Sequence, residues 1–394
     1  MSQPTPHRIQ ALSLALFCKV IDNYGDIGIC WRLARQLAHE HGITVTLWVD
    51  DLGSFRRICP SVDVSAAEQQ IDAVTVRHWR NQDGVFAVAD ISDIVIEFFG
   101  CDIPPAYIAA MARCKPQPVW LNLEGLSAEA WVEGCHRLPS PHPSLALTKY
   151  FFFPGFTKQT GGLLAETTLP QQRLQFQQDH SVATDFLAGL GLSATERSDF
   201  KISLFCYPQA PVEALLSAWQ HGPQTITCLV PEGVGGTAVA TFLDWPEHVA
   251  TSAGMVARRG ALTLRVLPFL PQPDYDKLLW ACDFNLVRGE DSFVRAQWAG
   301  RPFVWNIYAQ DENLHHVKLR AFLQRYDIGS PALSALSLAW NGANPHADWP
   351  ALWADLHAEM AQIAARTSLW QQRMLANGDL ASNLLQFAQT LPQK

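Results

Sequence analysis

Blocks of hydrophobic and polar residues near the start of the chain predict a strand, a short loop, a helix and a second strand. The apolar run from Leu12 to Val20 predicts a buried strand. From Ile29 to Ala38, apolar residues recur every three or four positions, which predicts an amphipathic helix with Arg32 on its polar side. Gly42 ends this helix, and 43–49 is rich in β-branched and aromatic residues. Such a βαβ unit implies a parallel sheet.

The loop between the first strand and the helix carries two acidic residues, Asp22 and Asp26. Ligands of open α/β sheets bind at the carboxyl ends of the strands, so we expect chemistry in this loop. The N-H groups and the dipole of a helix start stabilise carboxylates as anions. The pair would therefore repel a phosphate and attract a cation. Helix capping is the alternative interpretation, and it explains one acid better than two.

Strands and helices alternate through the rest of the chain, and the alternation starts again after about residue 195. We therefore predict two Rossmann-like α/β domains, residues 1–195 and residues 196–394. Residues 137–175 interrupt the pattern with proline, glycine and aromatic residues, which predicts a surface loop or lid. The segment 349–390 has a helical pattern, and we expect it to pack across both domains.

The second domain contains Val287-Arg288-Gly289-Glu290-Asp291-Ser292 between a predicted strand and a predicted helix. Here a phosphate is favoured, because the helix N-H groups, the Ser292 hydroxyl and the Arg288 cation can hold a diphosphate without a metal. Glu290 can accept hydrogen bonds from ribose hydroxyls. A plain helix cap by Asp291 or Ser292 is the alternative, and it does not need Arg288.

Composition and charge exclude several classes of protein. The 394 residues are 48% apolar and 17% charged, as in ordinary globular proteins. A formal net charge of -8 argues against a nucleic-acid-binding surface. The nine cysteines are scattered without a C-x-x-C pair, so we expect neither a disulfide framework nor a zinc site. The first apolar run is too short to span a membrane and no cleavage site follows it, so we expect a cytoplasmic protein.

Two long motifs carry a resemblance to a known family. The first is C-K-V-I-D-N-Y-G-D-I-G-x-C-W-R-L-A-R, which begins at Cys18, and the second is R-G-E-D-S-F-V-R-A-Q-W-A-G-R-P-F-V-W, which begins at Arg288. The two-domain pattern resembles the glycosyltransferase B architecture, in which two Rossmann-like domains face each other across a cleft. Nearly the whole chain resembles the elongation factor P maturation arginine rhamnosyltransferases. The resemblance implies an inverting enzyme that moves rhamnose from dTDP-β-L-rhamnose to an arginine of elongation factor P.

The resemblance also implies roles for single residues. Asp26 would be the general base, Asp22 its companion acid, and Glu290 would be indispensable. The two aspartates would accept N-H bonds from the guanidinium and take up its proton in a single displacement, so no metal or cofactor is expected. Phe269 and Tyr275 would flank the thymine, and Gln272 would bond its edge. The other implied donor-site residues are Asn23, Tyr24, Gly25, Phe205, Tyr207, Arg288, Gly289, Asp291 and Ser292.

Three other functions stay open from the residues alone. The first is a glycosyltransferase of the same fold with another nucleotide-sugar donor and a small-molecule or glycan acceptor. The second is a nicotinamide-dependent oxidoreductase, because Asp50 ends the second strand where a ribose-binding acid would lie, although the loop has only Gly-Asp-Ile-Gly in place of G-x-G-x-x-G. The third is a non-catalytic partner of elongation factor P. We do not interpret Asp50-Asp51 as a metal-binding D-x-D motif.

Overall fold

A computed structural model describes residues 12–22, 24–80, 84–326 and 329–391 of the protein. Its strands form one eight-stranded sheet and one six-stranded sheet, and helices cover both. No helix in the described ranges is both long and apolar enough to cross a bilayer.

The first sheet is built from residues 13–152. Its strands are β1 (Ser13–Cys18), β2 (Thr44–Val49), β3 (Glu68–Ile71), β4 (Val74–His78), β5 (Ile94–Phe98), β6 (Val119–Leu123), β7 (Pro139–Pro141) and β8 (Thr148–Phe152). The helices of this part are α1 (Gly25–His41), α2 (Leu52–Ile58), α3 (Pro105–Met111) and α4 (Trp131–Cys135), and α5 (Leu169–Gln178), α6 (His180–Gly189) and α7 (Ala194–Ser198) follow β8. The strand order is β3-β4-β2-β1-β5-β6-β8-β7, with β3 and β7 antiparallel at the edges. The winding direction reverses between β1 and β5, which opens a crevice at their carboxyl ends.

The predicted βαβ unit at the start of the chain is confirmed. β1 and β2 pair in parallel, with Phe17 opposite Trp48. Gly42 adopts the left-handed conformation (φ +65°) that ends α1, and a side chain there would be strained. The expected exposure of Arg32 is wrong, because the helix Asp291–Ala299 of the second half packs against that face of α1 and buries the side chain.

The prediction of a surface loop or lid over 137–175 is also wrong. This segment contains β7 and β8, and β8 lies inside the sheet between β6 and β7. Phe152, Phe153 and Phe156 are buried. β8 has the sequence TKYFF, which shows neither a continuous apolar run nor a clear alternation, and four of its five residues are only partly buried. The strand could therefore not be recognised from its hydrophobic pattern.

The second sheet is built from residues 200–306. Its strands are β9 (Phe200–Leu204), β10 (Ile226–Pro231), β11 (Val256–Arg259), β12 (Leu262–Leu267), β13 (Phe284–Arg288) and β14 (Phe303–Asn306). The helices of this part are α8 (Val212–His221), α9 (Gly236–Phe242), α10 (Gln272–Ala281), α11 (Asp291–Ala299), α12 (Leu314–Tyr326), α13 (Pro331–Trp340), α14 (Trp349–Leu375) and α15 (Leu380–Thr390). The order is β11-β12-β10-β9-β13-β14, with β11 antiparallel at the edge. Here the winding reverses between β9 and β13.

The last two long helices pack in different hydrophobic cores. Trp353 and Ile363 of α14 lie in the core around the second sheet, together with Phe156 and Leu169 from earlier in the chain. The apolar side of α15, which includes Phe387, lies in the core of the first sheet. The domain boundary near residue 195 stays a prediction.

Candidate active site

The carboxyl ends of both sheets meet at one cleft, which contains two adjoining cavities. The smaller cavity has an empty volume of about 660 Å³ and the larger one about 1530 Å³, both including space that is open to solvent. Asp22, Gly25 and Gly289 line both cavities. The loops after β1, β5, β9 and β13, which flank the two reversal points, all contribute to this region. A group that is transferred between ligands in the two cavities would pass these three shared residues.

Asp26 lies in the first turn of α1, and its side chain is buried. One carboxylate oxygen, Oδ2, accepts the N-H groups of Ile21 and Asp22, both at 2.8 Å. Burial raises the pKa of Asp26 above its ordinary value, and these two hydrogen bonds offset the rise only in part. Both hydrogen bonds come from the preceding loop and not from the N-H groups of the helix start, as had been expected. A raised pKa suits a group that must take up a proton.

Asp22 is half-buried and bridges the two halves of the protein. Its Oδ2 atom accepts a hydrogen bond of 2.6 Å from the hydroxyl of Tyr207, which follows β9. Gly289 lies beside both side chains and has a left-handed backbone (φ +61°). A Cβ atom on Gly289 would lie 2.9 Å from Asp22 Oδ2 and 3.1 Å from the Tyr207 hydroxyl, so only glycine permits this close approach.

The two acids after β2 already accept hydrogen bonds from backbone N-H groups. Asp50 accepts the N-H group of Val20 at 2.8 Å. Asp51 caps α2 by accepting the N-H groups of Gly53 and Ser54. These contacts weaken the nicotinamide interpretation, because Asp50 already braces the loop after β1. In the described ranges, no group of three or more potential ligands is arranged to hold a metal ion.

The turn between β13 and α11 has the features of an anion site. No side chain caps α11, so the N-H groups of its first turn have no side-chain partner. The Ser292 hydroxyl instead accepts the N-H group of Arg288 at 3.1 Å and donates to the Arg288 carbonyl. The alternative of a plain helix cap by Asp291 or Ser292 is therefore wrong. The hydroxyl braces the turn, and the free N-H groups are available to an anion.

The Arg288 guanidinium is held by aromatic rings. Its Cζ atom lies 4.4 Å from the ring centre of Phe205, 4.9 Å from that of Tyr207 and 5.8 Å from that of Tyr24. It also donates a 3.2 Å hydrogen bond to the Cys206 carbonyl. None of the ion pairs formed by the described residues involves Arg288. Its charge is therefore available to a bound anion.

The smaller cavity is also lined by aromatic rings and by the Gln272 amide, which suit a nucleobase. Phe269 packs on Tyr24 with 4.7 Å between ring centres, and Tyr275 meets Phe205 edge-on at 5.9 Å. Gln272 is buried, and its Nε2 atom donates to the Gly28 carbonyl and to an Asp291 carboxylate oxygen. Its Oε1 atom has no partner. The amide orientation is thus fixed, and the site presents a hydrogen-bond acceptor to a ligand.

Glu290 lines the larger cavity together with Asp22 and Asp26. Its Oε2 atom accepts the N-H group of Leu126 at 2.9 Å, which links the two halves again. Burial raises the pKa of Glu290 to about 8, and the nearby Asp26 carboxylate adds to the rise. This placement favours a contact with the transferred sugar or the acceptor over a contact with ribose.

The structure brings most of the predicted residues together. The smaller cavity is lined by the following predicted donor-site residues: Tyr24, Gly25, Phe205, Phe269, Gln272, Tyr275, Arg288, Gly289, Asp291 and Ser292. Tyr207 reaches the cleft through its hydrogen bond to Asp22. The predicted residue Asn23 lies outside the described residues.

Sequence reasoning missed a buried cluster of charges behind this site. Arg32 of α1 donates to Asp291 at 2.8 Å and to both carboxylate oxygens of Asp276. Arg295 also donates to Asp276, and it binds Glu166 at 2.6 Å. The cluster joins α1 to α10 and α11 across the two halves. Arg32 and Arg295 both fall within the two long motifs, which was the signal available in the sequence.

Two Rossmann-like sheets that face each other across a cleft suited to a nucleotide define the glycosyltransferase B fold, as predicted. The spinosyn rhamnosyltransferase SpnG shares this fold, with a TM-score of 0.51 at 10% sequence identity over 96% of this chain and 100% of that one.

The particular family follows from closer similarities. Residues 14–389 match the family model described as Elongation-Factor P (EF-P) rhamnosyltransferase EarP. The protein-arginine rhamnosyltransferase of Pseudomonas putida is 48% identical over 375 residues, which cover 94% of this chain and 97% of that protein. A solved structure described as the structural basis for EarP-mediated arginine glycosylation of translation elongation factor EF-P has a TM-score of 0.68 at 34% identity, over 96% of this chain and 99% of that one. The chain belongs to the elongation factor P rhamnosyltransferase family.

Proposed function

We propose that this protein transfers L-rhamnose from dTDP-β-L-rhamnose to an arginine side chain of translation elongation factor P, with inversion at the anomeric carbon. Family membership supports the reaction, and one structural observation supports the positions that we propose for the donor and the acceptor. The acids Asp26 and Glu290 line only the larger cavity, Asp22 lies between the two cavities, and the unpaired cation Arg288 lines only the smaller one. A cationic acceptor and an anionic donor would therefore bind on opposite sides of Gly289.

The donor fits the smaller cavity by charge and hydrogen bonding. The diphosphate would bind the free N-H groups at the start of α11 and the Arg288 guanidinium, so we propose a metal-independent enzyme. The thymine would lie against Phe269 and Tyr275. Its imide N-H group would donate to the unpartnered Oε1 atom of Gln272.

The acceptor would be activated by the two aspartates. A guanidinium, with a pKa above about 12, is protonated at neutral pH and is a poor nucleophile. Asp22 and Asp26 would accept its N-H bonds and direct one nitrogen at the anomeric carbon. The C-N bond forms as the C-O bond to the diphosphate breaks, and Asp26 takes the proton from the nitrogen. Arg288 stabilises the departing diphosphate.

A direct test is to mix the purified protein with dTDP-rhamnose and elongation factor P and to measure the mass of the acceptor. We expect a gain of one deoxyhexose, placed on an arginine by fragmentation. A chain that only binds the factor would leave its mass unchanged, which would contradict the proposal. Transfer with another nucleotide sugar but not with dTDP-rhamnose would contradict the choice of donor.

The same assay tests whether the reaction needs a metal ion. We expect the same rate in excess EDTA, because the charge of the leaving diphosphate is compensated by protein groups. A loss of turnover in EDTA that magnesium restores would contradict this prediction. We place the reaction in the cytoplasm, where translation factors act.

A further inference from the structure

An exposed aromatic residue with a strained backbone lines the larger cavity. Phe99 follows β5 directly, at the point where the first sheet reverses its winding. Its φ angle is +56°, in the left-handed region that non-glycine residues seldom adopt, and its side chain is 45% exposed. Left-handed backbone and an exposed ring both cost free energy, and such costs are concentrated at functional sites.

The ring of Phe99 is held in a fixed place beside Glu290. A Cβ atom built on Gly125 would lie only 2.3 Å from the Phe99 ring, so the ring rests directly on the backbone of that glycine. The same Cβ position lies 3.5 Å from Glu290 Oε2. Phe98 contacts the ring edge-on with 4.6 Å between ring centres. The ring and the carboxylate are therefore neighbours on the wall of one cavity.

Two further exposed aromatic residues line the same cavity. Trp131 is 53% exposed and meets Phe153 edge-on at 5.5 Å. Tyr308 is 51% exposed and meets Tyr207, the partner of Asp22, edge-on at 5.5 Å. We call Phe99, Trp131 and Tyr308 the aromatic rim.

The charge of the larger cavity favours a cationic occupant. Asp102 and Glu124 line it in addition to the three acids already described. The described residues that line it include two lysines, Lys19 and Lys318, so the acids outnumber the cations even when Glu290 is protonated.

We propose that the aromatic rim is the surface that recognises the arginine-bearing loop of the acceptor protein, with Phe99 stacked on the guanidinium. The inference rests on the proposed function and adds the residues that select the acceptor. A guanidinium is planar, so its N-H groups can bind carboxylates in the plane while an aromatic ring covers its face. Phe99 beside Glu290 offers this pair of contacts, and Trp131 and Tyr308 contact the flanking loop.

The test compares substitutions of the rim with a matched control. Phe99→Gly removes the ring and relieves the left-handed backbone, so the melting temperature should not fall. We expect KM for elongation factor P to rise about tenfold, a size typical of a lost cation-aromatic contact, with KM for dTDP-rhamnose unchanged. Phe99→Tyr keeps the ring and should stay within about twofold of the wild type. Leu174→Ala, which removes an equally exposed side chain (45%) that lines neither cavity, should have no effect.

The outcomes separate this inference from the proposed function. If the wild type adds no rhamnose to elongation factor P, the proposed function fails. If the wild type is active but Phe99→Gly leaves KM for the acceptor unchanged, or raises KM for the donor equally, the inference is overturned. Trp131→Ala, on a different element, repeats the test if Phe99→Gly does not fold. We expect that variant also to raise KM for the acceptor alone, and an unchanged value would overturn the role of the rim.

Discussion

Asp26 combines a buried carboxylate with two backbone hydrogen bonds, and these contacts allow its charge to be removed with little change in shape. In Asp26→Asn, the side-chain oxygen can still accept the N-H groups of Ile21 and Asp22. We expect turnover to fall by about 100-fold or more, because no group takes the proton from the guanidinium. Affinity for dTDP, measured by calorimetry, should stay near the wild-type value. A collapse of dTDP affinity would place Asp26 in the nucleotide site.

Glu290 gives a second prediction at the scale of a residue, which concerns pH. Its pKa of about 8 in the free protein means that most molecules carry a protonated Glu290 at pH 7. A bound guanidinium favours the carboxylate and so lowers this pKa, which releases a proton on binding. Acceptor affinity should therefore rise between about pH 6 and pH 8.

Calorimetry of acceptor binding in two buffers with different ionisation enthalpies would detect this proton. Glu290→Gln should abolish the buffer dependence. A wild-type binding enthalpy that is equal in both buffers at pH 7 would contradict the prediction.

The site residues that could be predicted from the sequence are those that lie next to a turn at the end of a strand. Asp22, Asp26 and Arg288 lie where a strand passes into a helix, so their location at the carboxyl edge could be predicted. Arg32 could not be placed in this way, since a cation on a helix is normally exposed and its burial depends on a partner 259 positions away. Phe99 was missed because an aromatic residue at the end of an apolar strand has the same pattern as a core residue.

At the scale of an element, the turn between β13 and α11 must bring backbone close to Asp22, and Gly289 makes this possible. Gly289→Ala should cost about 1 kcal/mol for the left-handed backbone and also displace Asp22, so kcat should fall more than tenfold. Gly254→Ala is the matched control, because its φ is +89° but a Cβ atom there meets nothing within 4 Å. It should lose similar stability in urea denaturation and keep its activity. Equal activity of the two variants would contradict a close approach at Gly289.

Elements were predicted best where the apolar pattern was continuous. The strand predicted from the apolar run Leu12 to Val20 is β1, Ser13–Cys18. The strands that were missed include β3, β7 and β11, which are short antiparallel edge strands. β3 has the sequence EQQI and β11 the sequence VARR, so neither shows an apolar run. Edge strands need little burial, and their pairing depends on a neighbour that the local sequence does not specify.

At the scale of the whole molecule, the buried charge cluster holds the two halves against each other. Arg32→Ala should lower the free energy of unfolding by about 3 kcal/mol or more, because Asp291 loses its arginine in a buried setting. Arg35→Ala is the matched control on the same helix. Arg35 pairs with Asp72 at a partly exposed site, so its loss should cost less than about 1 kcal/mol. Urea denaturation would measure both, and equal costs would contradict an interface role for Arg32.

The two-sheet architecture could be predicted because each half repeats the alternation of strands and helices. The way the halves exchange segments could not be predicted. Phe156 and Leu169 precede the second sheet yet pack in its core, and α15 lies in the core of the first. Hydrophobic periodicity shows that a face is buried, but it does not show against which core.

The position of α15 also bears on how the chain folds as it is synthesised. The apolar side chains that complete the first core, such as Leu384 and Phe387, leave the ribosome after every strand in the described part of the chain. The core of the first sheet is therefore incomplete until α15 has been synthesised, and a chain that stopped before α15 would expose apolar surface of its amino-terminal half, which favours aggregation.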